Sequence, residues 1–260
     1  MARGRQEAPY LRAQRAERAG LADEAALARA ELAAIPLRTG RPAKAQAAFD
    51  ALRRDCAKEP ISPDVYGSVL QTWAAAVEAT DPIGSLVLLW EAFQAYSDPL
   101  ERGRVLYELA AGLLAGGLYE PARRALEILR EEAPVDLSVP ALTGLLEIAW
   151  RTHDALLFRR TWRVVSPLAA EIDAGLRAQC YECAGRMLRA LGRRKEAREL
   201  LAEARYAQRA CEFDGKTAQL RLAGRRESAK KKIPKGALRT HPQLRAFAEA
   251  LDSRWRAACG

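Results

Sequence analysis

The sequence predicts an all-α chain: an α-solenoid of about five stacked helical hairpins, followed by a basic segment and a terminal helix. Three observations carry this expectation. The first is a set of echoes: "LRTGRPAKAQAAFDALRR" from Leu37, "LLAGGLYEPARRALEILR" from Leu113 and "RALGRRKEARELLAEARY" from Arg189. In each, a helical pattern stops at a glycine (Gly40, Gly117 or Gly192), an alanine follows five residues later, and a second helical pattern begins. The second is their spacing. The glycines lie 77 and 75 residues apart, about twice one helix–turn–helix unit, so an unmarked turn is expected midway in each interval. "ATDPIG" around Asp81 and "RTHDA" around His153 stand at those places. The third is periodicity: apolar residues recur every 3–4 positions rather than every 2, in a chain rich in Ala, Leu, Arg and Glu.

Taken in order, residues 1–22 are polar and form an N-terminal arm, a helix start or a loose segment. Residues 23–213 carry the repeats. The first hairpin pairs a helix through Leu27, Ala30, Leu32 and Ile35, which Pro36 should kink or end, with one through Ala45, Ala48, Phe49 and Leu52. "EPISPD" links it to a helix bearing Val65, Val69, Leu70, Trp73, Ala76 and Val77. Asp81–Pro82 then reads as an N-cap with proline at the first helical position, opening the buried helix "SLVLLWEAFQAY". Leu100 to Pro134 form the clearest hairpin, broken at Gly116–Gly117. A fourth pair spans 138–151 and 155–165, with Leu142, Leu145, Leu146, Ile148, Ala149, Phe158 and Trp162 as core, and a fifth spans 174–190 and 195–210. Residues 214–240 form a basic linker, and 241–260 an amphipathic helix with Leu244, Phe247, Ala248, Leu251 and Trp255 on one face.

The net charge of +9 is unevenly spread: +4 over residues 1–60, −6 over 61–177 and +11 over 178–260. That asymmetry points to an anionic partner at one end. No apolar run reaches the ~18 residues a membrane helix needs, and the start lacks the apolar core of a secretory signal, so no membrane partner is expected. Five scattered cysteines do not describe a disulfide framework and suggest a reducing intracellular compartment, cytoplasmic or organellar matrix.

Residues 103–136 resemble a tetratricopeptide repeat: Leu109 and Ala110 supply its large and small pair in the first helix, Tyr119 and Ala122 follow the turn, and Pro134 closes the unit. Residues 178–211 are similar through Tyr181, Gly185, Gly192, Ala197 and Ala204, and residues 26–59 through Leu32, Ala33, Gly40, Ala45 and Phe49, with Pro36 as a departure. The signature Trp is missing, and the intervals are nearer 36–41 residues than 34. "SPDVYGSVL" at 62–70 and "EILREEAPVDLSVPALTGLLEIA" at 127–149 resemble unit boundaries of the related pentatricopeptide pattern, and the sequence does not separate the two families. Either resemblance implies close-packed hairpins and a binding surface rather than a particular activity.

Candidate chemistry is sparse. Cys180-x-x-Cys183 has no second Cys/His pair to complete a tetrahedral site and reads as small residues on a packed helix, so no metal is expected. His153–Asp154 lacks a recognisable nucleophile and reads as a polar turn. The carboxylates fall on solvated faces, and Gly116–Gly117 lacks the lysine and strand of a phosphate loop. Trp73, Trp90, Trp150 and Trp162 read as core. No catalytic residue, cofactor or small-molecule substrate is therefore expected. The basic run is different: residues 221–239 hold eight Lys/Arg and one Glu, and Arg225, Arg226, Lys230, Lys231, Lys232, Lys235 and Arg239 suit phosphate contacts. Leu244, Phe247, Leu251 and Trp255 must be covered, either by the repeats or by a partner. The expected function is a non-enzymatic scaffold or assembly subunit of a ribonucleoprotein complex, of organellar-ribosome or RNA-processing type, with protein partners and RNA. The alternatives are a protein-only adaptor or bacterial regulator that holds a peptide or partner helix, and a pentatricopeptide-type RNA-binding protein.

Overall fold

Proline lacks only a donor that the first turn of a helix does not use, and six helices of this chain begin on one: Pro9, Pro42, Pro63, Pro82, Pro99 and Pro242. The computed structural model describes residues 8–58, 61–132, 134–213, 233 and 236–259. Among them are thirteen helical segments and no strand: α1 (Pro9–Ala19), α2 (Ala22–Arg38), α3 (Pro42–Cys56), α4 (Pro63–Val77), α5 (Pro82–Ala95), α6 (Pro99–Ala115), α7 (Tyr119–Glu132), α8 (Val135–Thr152), α9 (Ala155–Val165), α10 (Ala174–Ala190), α11 (Arg194–Phe213), α12 (Ala237–Thr240) and α13 (Pro242–Cys259). The chain is all-α, with adjacent helices packed in pairs.

The pairs are α2/α3, α4/α5, α6/α7, α8/α9 and α10/α11, and both unmarked turns fall where the spacing places them. At the first, Asp81 caps α5 by accepting from the Gly84 amide at 2.9 Å. At the second, His153 takes the left-handed conformation (φ 57) that Gly40, Gly117 and Gly192 adopt in the glycine-marked turns. A non-glycine residue adopts that conformation at a modest steric cost, so this turn carries no glycine in the sequence.

Of the two options for the N-terminal stretch, residues 9–19 take the helical one as α1, which packs on α2 with Ala13 and Ala16 buried and turns at Gly20 (φ 70). Pro36 does not end α2 early. The helix runs two residues past it to Arg38, so only the single bond that the missing Pro36 amide would have made to the Leu32 carbonyl is lost.

Small residues set the close approaches. A Cβ built on Gly185 would lie 2.7 Å from Leu201 Cγ and 3.2 Å from the Ala197 carbonyl oxygen, so α10 and α11 meet there without a side chain between them. Gly144 of α8 likewise abuts Leu126 of α7, its built Cβ 2.7 Å from Leu126 Cδ1. Ala122 and Ala197, the alanines five residues after a turn glycine, are 0% and 2% exposed. Replacing Ala122 with leucine should therefore overpack α7 and cost about 1–3 kcal/mol, read as a lowered thermal midpoint. An unchanged midpoint would contradict this packing.

Among the described residues, the extensive contacts that α1 to α11 make with one another join helices one or two places apart along the chain. Successive first helices are clasped at their starts by carboxylates. Asp23 of α2 accepts from the Ser62 amide at 2.9 Å, and Asp64 of α4 accepts from the amides of Ser97 (2.7 Å) and Asp98 (3.1 Å). The Asp98 and Ser97 amides, with the Ser97 hydroxyl, hold the Asp64 carboxyl below its ordinary range. The clasp is thus intact at neutral pH and lost as pH falls.

Candidate partner interface

The exception to this near-neighbour packing is the tail. α13 returns to lie across α7 and α5, with Leu244 and Leu251 at 0% exposure and Phe247 at 3%. Its Phe247 ring meets Trp90 of α5 edge-on, centroids 5.6 Å apart. Trp255, half-buried, donates from Nε1 to Glu127 at 2.6 Å, Arg254 pairs with Glu132 at 2.8 Å, and Asp252 pairs with Arg124. Of the two covers open to the stripe Leu244, Phe247, Leu251 and Trp255, the structure provides the chain's own helices. The stripe is thus not displayed for another molecule in this arrangement.

A second anchor precedes α13. Ile233 is 6% exposed and lies with Leu86, Leu89, Gly112 and Gly116 between α5 and α6. A Cβ on Gly116 would come within 2.7 Å of Ile233 Cδ1, so the absence of a side chain at 116 makes room for it. The sequence contains this anchor only as one isoleucine amid basic residues. The phosphate-contact candidates Arg225, Arg226, Lys230, Lys231, Lys232 and Lys235 lie outside the described residues, and of Arg239 only its place in α12 is described.

The first helices of the hairpins share a polar seam that encloses Glu108 and Glu147, carboxylates expected on solvated faces, and that Tyr96 joins from the end of α5. Tyr96 donates to Gln71 Oε1 at 2.9 Å, and Gln71 of α4 donates to Glu108 of α6 at 2.9 Å. Further along, Glu147 of α8 is 3% exposed, pairs with Arg151 at 2.8 Å and accepts from Gln179 of α10 at 3.4 Å. Burying a carboxylate is costly unless it is paired, and Arg151 supplies the pair. Burial works against the Arg151 charge, but Glu147 and Tyr119 together raise the guanidinium pKa. Burial and Glu147 together push the Tyr107 hydroxyl up. A single Glu in a helical pattern looks solvated; only the α8–α10 contact, 32 residues apart in sequence, encloses it.

The remaining candidates resolve into structural roles. Cys180 is fully buried beside Thr143, its Sγ 2.9 Å from Oγ1, and burial pushes its thiol up to about 11. Burial also raises the Cys183 thiol, so neither has the thiolate character of a reactive cysteine. Among the described residues no group of three or more His, Cys, Asp or Glu could hold a metal ion. Asp154 is occupied in capping α9, accepting from the amides of Leu156 (3.0 Å) and Leu157 (2.9 Å), and His153 is the turn residue before it. Trp73 and Trp90 are core, as expected, whereas Trp150 and Trp162 are only half-buried. Arg186 lies 4.5 Å and Arg151 5.4 Å from the Trp150 ring centroid. No helix among the described residues is long and apolar enough to cross a membrane. Comparison with known proteins gives no match to a family model, a curated protein or a solved structure.

Proposed function

We propose that this chain is a non-enzymatic helical-repeat scaffold of tetratricopeptide or pentatricopeptide type. Its hairpins stack as a solenoid that contacts protein, and its basic segment near the C-terminus contacts RNA backbone in a ribonucleoprotein assembly. The observation that carries the scaffold half is the succession of five hairpins joined by near-neighbour packing, the arrangement expected of repeat arrays that work by presenting surface. The RNA half rests on charge: +11 lies in residues 178–260, with eight Lys/Arg in 221–239.

Copurification with RNA before and after nuclease treatment tests the assembly. In vitro, phosphate contacts by Arg225, Arg226, Lys230, Lys231, Lys232 and Lys235 should give sequence-independent binding. Its log–log salt slope should be roughly −4, from about −0.7 per single-strand phosphate. The segment has no aromatic residue to stack bases, so it should position RNA rather than read it. Serine at all six positions should flatten the slope and leave helical content unchanged. Equal binding by parent and variant at every salt concentration removes the RNA role. In that event the protein-only adaptor becomes the better reading. A specific observation already favours it as the second: α5 and α7 demonstrably accept an amphipathic helix, that of the chain itself.

A further inference from the structure

Many arginines among the described residues meet a carboxylate of their own or a neighbouring helix. Arg29 meets Asp55, Arg53 meets Glu91, Arg123 meets Glu127, Arg193 meets Glu196, and Arg124 and Arg254 tie down α13. Helix α9 is different. Its sequence, ALLFRRTWRVV, contains no acid, and its buried face is Leu157, Phe158, Thr161 and Val165. On the opposite face Arg159, Arg160 and Arg163 are exposed, with no acidic partner among the described residues. Interleaved with them on the same arc, at a spacing of four, are Leu156 (68% exposed) and Val164 (50%). Like charges three and four residues apart on one helix repel by a few tenths of a kcal/mol, a cost that an acidic neighbour would reverse.

We propose that this face of α9 seats an acidic amphipathic helix of another protein, its carboxylates on the three arginines and its aliphatic residues on Leu156 and Val164. Three arguments select that occupant. The charge demands an anionic partner. The aliphatic pair demands apolar contact, which a phosphate backbone does not offer, and no aromatic side chain is exposed on this face to stack a base. The chain also supplies the geometric precedent. α13 docks on α5 and α7, second helices of their hairpins as α9 is of its own, through an apolar stripe flanked by the Asp252–Arg124 pair. The same mode, an amphipathic helix laid on a helical surface, is a recurrent form of peptide recognition.

This inference rests on the scaffold reading and names the partner class for its protein-binding half. The test uses the full chain and a labelled peptide of about 18 residues, long enough to hold a helix, with Leu on one face and Glu at i and i+4 on the flanks. A matching peptide with Lys for Glu and a short uridine RNA are the comparisons. The acidic peptide should bind and the Lys peptide should not. Arg159→Ser/Arg160→Ser/Arg163→Ser should weaken binding about ten-fold, the sum of several exposed charge pairs. Leu156→Ser/Val164→Ser should also weaken it, with circular dichroism unchanged in both variants because every altered residue is exposed. Failure of the acidic peptide to bind, or equal binding by the parent and either variant, overturns the proposal. RNA binding that depends on the three arginines but not on the aliphatic pair overturns it in favour of a phosphate surface. The serine variant of the basic segment keeps the two readings apart: it should lose RNA and retain the peptide.

Discussion

Replacing Phe49 with alanine should cost about 3–5 kcal/mol, the range for emptying a fully buried aromatic site. Phe49 of α3 is 1% exposed, and its ring stacks on Trp73 of α4, centroids 5.2 Å apart and planes within 1°. The stack joins the first hairpin to the second, so the substitution removes both a core side chain and an aromatic pair worth about 0.5–1.5 kcal/mol beyond its area. In a chain of this size each kcal/mol moves the midpoint by roughly 2–4 °C, so a fall on the order of 10 °C is expected. Because packing is local from α1 to α11, the loss should fall on the N-terminal hairpins first and appear as a separate early transition. Phe49→Leu, which keeps most of the volume, should recover the greater part. A loss below about 1 kcal/mol for the alanine variant would mean that the hairpins do not meet at this ring.

The hairpins were legible because their information is local. A turn residue, an alanine five positions on and an apolar stripe lie within one short stretch, and the spacing of Gly40, Gly117 and Gly192 locates even the turns that glycine does not mark. α1 is legible only as one of two options, a helix start or a loose segment, for a related reason. It buries only Ala13 and Ala16, while Tyr10 and Leu11 are more than half exposed, so its pattern carries little apolar contrast. The features closest to function were illegible because they are non-local. Glu147 is enclosed by Gln179 of another hairpin, Ile233 is received by a gap at Gly116, and the α13 stripe finds its cover 128 residues back, at Glu127. The α9 face lay between these cases. Its three arginines are plain in the sequence, but that no acid reaches them is a property of the packing.

Removing residues 233–260 should destabilise the protein and expose apolar surface. Leu244, Phe247 and Leu251 are each at most 3% exposed, and burying such side chains stabilises by about 1.5–3 kcal/mol each relative to water. Their loss also uncovers Trp90 of α5, whose ring Phe247 meets edge-on. The truncated chain should melt several degrees lower, bind a hydrophobic dye and aggregate on heating. Tryptophan emission should shift to the red as Trp90 loses the edge of Phe247. Phe247→Ala in the full chain should reproduce part of the shift at a cost of about 3–5 kcal/mol, separating the contact from the deletion. Arg254→Ala should do far less, since an exposed pair such as Arg254–Glu132 contributes about 0–1 kcal/mol. The ranking matters more than any single value: it is that of a helix held by apolar burial and aligned by its charges. A truncation that leaves the midpoint, the dye signal and the emission unchanged would show that α13 does not rest on α5 and α7 in solution, returning its stripe to the surface for a partner to cover.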